Sequence, residues 1–143
     1  MKSLLALILT IIIVFFAVDT IAGEWGYFAK DQEQLYGTWV NMDYTGSIPQ
    51  KIIYNTGGTF DCFRNASSKE PNKRGRYLVT GRWSDSEGNI IYKTHWVGDW
   101  GEEAYQIGKI SNSGNTLEYV LGYDEPPKNI DPNNIWYRKY TRK

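Results

Sequence analysis

Leu35-Tyr36-Gly37-Thr38-Trp39-Val40-Asn41 is the first stretch of the chain with a clear strand pattern, and it follows a hydrophobic leader. It sets the residue without a side chain two positions before the largest side chain. In a strand, residues two apart point to the same face, so Gly37 and Trp39 share one. Glycine in a strand admits a close neighbour, and the indole fills the space that remains. A glycine and a tryptophan so placed at the start of a β chain predict a plug for one end of a small barrel.

Downstream, short strand-like runs alternate with turn chemistry. Strands are expected over 35–42, 50–55, 59–64, 75–83, 90–97, 102–111, 116–123 and 135–142. Thr56-Gly57-Gly58, Asp85-Ser86-Glu87-Gly88-Asn89 and Asn112-Ser113-Gly114-Asn115 are the tightest connections. Their glycines supply the positive φ angles that hairpin turns need. Most joints are too short for anything but antiparallel neighbours. The expected fold class is therefore all-β, an eight-stranded antiparallel up-and-down barrel, since closure removes the exposed edges. An open sandwich is the competing architecture. In this meander the long 65–74 and 126–134 loops share one end with Tyr44 and Trp100, and the tight turns share the other. Binding surfaces gather on long loops over a rigid scaffold, so an entrance is expected at the long-loop end.

Upstream, residues 1–23 have the pattern of an export signal. Lys2 precedes a 15-residue run, 4–18, in which Thr10 is the only polar residue, and cleavage is expected after Ala22 or Gly23. The run is short for a membrane span, which takes about 20 residues. Membrane association is expected only if this segment stays uncleaved. Residues 24–34 read as a lead-in arm and 35–143 as the barrel domain. The chain of 143 residues carries 16 basic and 16 acidic side chains. Such balance leaves no footprint for nucleic acid. Cys62 is the single cysteine, so no internal disulfide is possible, and the 14 glycines and heavy aromatic content point to a β core. Asn65-Ala66-Ser67 is an N-glycosylation sequon. Nothing in the sequence indicates an oligomeric state.

Gly37-Thr38-Trp39 resembles the G-x-W signature of the lipocalin and wider calycin group, where it lies on the first barrel strand. The resemblance implies an arginine on the last strand packed across that tryptophan. Arg138 is the first candidate for this closure and Arg142 the second, in Ile135-Trp136-Tyr137-Arg138-Lys139-Tyr140-Thr141-Arg142. The T-D-Y motif of transporter-type lipocalins is absent; Gly122-Tyr123-Asp124 holds its ingredients in another order. A short, bacterial-style member is the nearer likeness. The same Gly-Thr-Trp also resembles the start of avidin-like barrels, which would set Asn41 and Ser47 near ligand positions.

The chemistry on offer favours binding over catalysis. His95 is the only histidine, a poor inventory for a metal centre, and no cofactor is implied. No serine lies in a G-x-S-x-G elbow. Cys62, between Phe60 and Phe63, reads as a small buried hydrophobe. An enzyme built on His95 would need a carboxylate and a third polar group converging on it. The strand faces mix aromatics with hydroxyls, which suits a small, largely apolar or aromatic ligand. Tyr92, Trp96, Tyr105, Tyr119 and Tyr123 are the expected lining, with Trp25, Trp100 and Tyr44 as caps of one mouth. The alternative is a filled barrel whose long loops bind a protein or glycan partner.

Overall fold

A computed structural model describes residues 33–41 and 49–143. The proposed leader, most of the lead-in arm, and the positions of Trp25, Tyr44 and Ser47 lie outside the described residues. Eight strands follow one another: β1 (Gly37–Val40), β2 (Lys51–Asn55), β3 (Thr59–Phe63), β4 (Lys73–Ser84), β5 (Ile90–Gly98), β6 (Glu103–Ser111), β7 (Thr116–Gly122) and β8 (Tyr137–Arg142). Each pairs antiparallel with the next, and β1 pairs with β8, so the sheet is a closed barrel with no free edge. The all-β, eight-stranded up-and-down barrel expected from the turn spacing is the fold.

Alternation along the strands gives the barrel its filling. Trp39, Ile52, Tyr54, Phe60, Cys62, Tyr77 and Val79 point inward from the first half of the chain and Tyr92, Trp96, Ile110, Leu117, Tyr119 and Tyr140 from the second, forming one buried cluster. The rings interlock. Trp96 lies 4.6 Å from Phe60 and 6.0 Å from both Tyr54 and Tyr119, centroid to centroid, and Tyr119 stacks on Tyr140 at 5.6 Å. Such spacings are those at which ring pairs attract beyond simple burial. Burial pushes the Cys62 thiol up to about 12, so it packs as a neutral apolar group.

One end is sealed by the stretch that opens the barrel. The Trp39 indole is fully buried and donates to Leu35 O at 2.8 Å. Arg142 lies directly across the β1–β8 pairing from Trp39, with its guanidinium carbon 4.2 Å from the ring centroid. Arg138, the first candidate for this closure, does not take the part. It sits four residues farther along β8, opposite Tyr119, and leans over Trp136 instead. Nor does the end of β8 fray. Arg142 donates to Gln34 O at 2.6 Å, Tyr36 O at 2.5 Å and Gly114 O at 2.7 Å. Gly37 has a φ of 119°, which disfavours a side chain, and a Cβ there would stand 3.1 Å from the Arg142 guanidinium. The glycine is therefore tied to the arginine as well as to the indole.

A second, smaller apolar cluster lies outside the barrel wall. Ile91, Ile107 and Val120 project outward from β5, β6 and β7, and Ile130 and Tyr137 pack over them. Ile130 belongs to the long loop between β7 and β8, so this patch fixes that loop against the wall. The Tyr137 hydroxyl bonds Glu118 at 2.5 Å, and Lys109 pairs with the same carboxylate. Burial alone would raise the Glu118 carboxyl, but Tyr137 and the lysines at 109 and 139 outweigh it and hold it below the usual range.

Candidate functional site

The long-loop end is open. A cavity of about 160 Å³ lies there among the connections β5–β6 and β7–β8 and the inner faces of the strands that lead to them. Its floor is the top of the core: Phe60, Trp96, Ala104, Tyr119 and Leu121. Its walls are Trp100 on one side and Tyr123 with Trp136 on the other. These three rings remain 43%, 37% and 40% exposed, which is high for side chains of this size clustered together. The rim is mixed in charge, with Lys73 and Arg138 facing Glu102 and Glu103.

Each wall is held in place by the local sequence. The Gly98-Asp99-Trp100-Gly101 turn folds Trp100 back over Gly98, where a Cβ would come within 2.4 Å of the indole. No other residue leaves that space. The Trp100 N–H then bonds the Glu102 carboxylate, and the Lys73 ammonium stands 4.6 Å from the ring and 3.9 Å from the same carboxylate. Opposite, Tyr123 and Trp136 meet edge to face at 5.0 Å. Arg138 braces that side, donating to Ile135 O at 2.8 Å and Tyr137 O at 2.6 Å. Asp131 and Asn134 cap the turn before β8, with Trp136 N donating to Asn134 Oδ1 at 2.8 Å. The β3–β4 loop is anchored too: Lys51 reaches Ser68 O at 2.8 Å and Ala66 N donates to Gln50 Oε1 at 2.7 Å.

Of the lining residues expected from the sequence, Trp96, Tyr119 and Tyr123 border the cavity. Tyr92 points inward but away from it, with its hydroxyl 3.5 Å from Gln34 at the sealed end. Tyr105 is on the outer face. It pairs across the sheet with His95 and stacks on that imidazole at 4.9 Å, because β6 turns Ala104, Gln106 and Gly108 inward. Arg138, placed by the sequence in the closure, instead stands at the mouth. Trp100 is a wall of this mouth, as its loop position suggested, while Phe60, Leu121 and Trp136 went unnamed. Trp136 carried a usable signal, being an aromatic next to Pro-rich loop chemistry at the long-loop end. Asn41 is buried just past β1, on its side toward the long-loop end, and its backbone N–H bonds Gln50 O at 2.8 Å.

His95 faces outward, hydrogen-bonded to Glu103 at 3.1 Å. Among the described residues, no three His, Cys, Asp or Glu side chains gather as a metal site would require. Inside the barrel, hydroxyls are mostly spoken for. Tyr140 donates to Pro49 O at 2.9 Å, Tyr119 lies 3.4 Å from the Tyr140 oxygen, and Thr94 donates to Gln106 Oε1 at 2.7 Å. The described residues form a closed barrel with an aromatic core, an aromatic cup at one end and, at the end closed by Trp39 and Arg142, an outer, more polar hollow of about 330 Å³ bordered by Gln34, Asn89, Ser111, Ser113 and Arg142. No protein-family model, no curated protein and no solved structure matches this chain.

Proposed function

We propose that this is an exported, lipocalin-like binding protein that holds a small, largely apolar ring at the mouth of its barrel, not deep within it. The observation that carries the reading is the cup of about 160 Å³ walled by Trp100, Tyr123 and Trp136 over a floor of core aromatics. Apolar cavities of about 150 Å³ take a benzene-sized guest. A cup of this size thus suits one ring and excludes a long lipid chain. The packed core argues the same way, because Trp39, Tyr54, Tyr92, Tyr119 and Tyr140 are large side chains fully buried inside the barrel. Export is supported by the apolar run at 4–18.

Binding is favoured over catalysis because His95 projects from the outer wall, stacked on Tyr105. A second reading, a loop surface for a protein or glycan partner, draws on the exposure of the same three rings. Calorimetric titration with ethylbenzene and acetophenone separates the two. The ring-binding reading expects saturable one-to-one binding of at least one probe, lost in Leu121→Trp, which fills the cup from its floor. Failure of both probes to bind, or undiminished binding by a folded Leu121→Trp protein, would overturn it.

A further inference from the structure

Three buried side-chain atoms of the barrel interior lack a hydrogen-bond partner in good geometry among the described residues: Trp96 Nε1, Tyr54 OH and Gln106 Nε2. Leaving such a group unmet costs more than a typical hydrogen bond contributes, so each requires an explanation. An indole N–H and an amide NH₂ can only donate, whereas a phenol both donates and accepts. Gln106 Oε1 accepts from Thr94, and the Gln106 amide acts on the neighbouring Tyr54 oxygen, so those two groups can satisfy each other. Burial, only partly offset by the adjacent Gln106 amide, pushes the Tyr54 phenol well above its ordinary value, so it keeps its proton. Trp96 Nε1 is left as the buried donor with no acceptor among the described residues.

Trp96 is part of the cup's floor. Tyr54 packs edge-on against Trp96 at 6.0 Å. Gln106 lies one inward position from Ala104, the residue paired with Trp96 across the sheet. Trp96 is 8% exposed, and its Nε1 is closed to bulk water. The other buried hydroxyls of the core, on Tyr119 and Tyr140, are matched to each other and to Pro49. Of the three residues, Trp96 is the one that lines the cup.

Resting on the binding reading above, we infer that the ligand carries a hydrogen-bond acceptor, a carbonyl or similar oxygen, attached directly to its ring. The ring occupies the aromatic walls and the oxygen points down to accept from Trp96 Nε1. Simple hydrocarbons would fill the walls and leave the floor unmet. Ring-bearing ammonium compounds would bring a donor toward the Trp96 donor.

Acetophenone and ethylbenzene test this, since they differ by a carbonyl in place of a methylene. Ethylbenzene is the more hydrophobic, so burial alone favours it. The inference expects wild-type protein to bind acetophenone about tenfold more tightly, the factor one buried hydrogen bond supplies. It also expects the Trp96 indole N–H resonance to move downfield with acetophenone and not with ethylbenzene. In Trp96→Phe, which keeps a ring on the floor and removes the donor, the preference reverses. The inference is overturned if ethylbenzene binds as tightly as acetophenone, or if acetophenone binds without moving the Trp96 signal. The indole readout needs no variant, so a poorly folded Trp96→Phe does not blunt the test. If neither probe binds, it is the cup reading itself that fails.

Discussion

The two ends of this barrel each place an indole against the core, and they treat it in opposite ways. At the sealed end, Trp39 donates to Leu35 O, and Arg142 covers its ring while donating to three carbonyls of its own. At the mouth, Trp96 Nε1 has no acceptor among the described residues, and the rings above it stand half in solvent. Both indoles are buried, so burial does not distinguish plug from site. Hydrogen-bond satisfaction does. A satisfied buried indole holds the fold together, and an unmet one under an open cup is available to something else.

That contrast can be attacked from several directions. The largest effect is expected from alkali, which strikes the body that both ends share. Tyr54, Tyr119 and Tyr140 are buried phenols, and Cys62 a buried thiol, all raised chiefly by desolvation. Groups whose folded values exceed their unfolded ones contribute stability that is complete below the unfolded values and lost as pH rises past them. Those unfolded values are 9.0 for the thiol and 10.0 for the phenols. Stability should therefore fall from about pH 9 upward. Tyrosinate absorbance should grow in one step with loss of the β circular dichroism signal, and a gradual titration of all tyrosines in an intact fold would contradict this.

At the sealed end, Trp39→Ala should cost about 3–5 kcal/mol in urea unfolding, the range for truncating a fully buried aromatic. Arg142→Ala should cost about 2 kcal/mol, a figure that allows for its partial exposure. Arg142→Lys should recover less than half of that, because one ammonium cannot reach three separate carbonyls. If Arg138→Ala proves as damaging as Arg142→Ala, the closure has been assigned to the wrong arginine.

At the mouth, effects on stability should be small and effects on binding clear. Gly98→Ala should cost less than about 1 kcal/mol, since the displaced Trp100 ring is already half exposed. Its emission should shift to the red, and the affinity of the cup for ring probes should drop. An unchanged emission spectrum would show that Trp100 does not lie over Gly98.

The fold was legible for a physical reason. Turn residues such as Gly57-Gly58 and Ser113-Gly114 punctuate the chain, and Gly57, Gly58, Ser113 and Gly114 do take positive φ. The closure was half legible. The indole was identifiable from its glycine, but the register between β1 and β8 depends on the rest of the barrel, so nothing local separated Arg138 from Arg142. Tyr105 misled because β6 turns its smaller and more polar side chains inward, Ala104, Gln106 and Gly108, against the usual direction of hydrophobicity. In β4 the pairing shifts between Val79 and Gly81, a bulge that exchanges inward and outward positions without a signal in the pattern. Whether the interior was hollow depended on summed side-chain volumes across eight strands, which no single strand reports. Even so, three of the five expected lining residues, Trp96, Tyr119 and Tyr123, do border the cup.

The difference between the two ends is tested most directly by following the tryptophan indole N–H signals in ¹H–¹⁵N spectra while a single-ring probe such as acetophenone is added. The signals of Trp96, Trp100 and Trp136 should shift together and saturate, while those of Trp39 at the sealed end and Trp83 on β4 stay where they are. A shift of Trp39 in step with the probe, or no shift at Trp96, would contradict the division of the barrel into a plug and a cup.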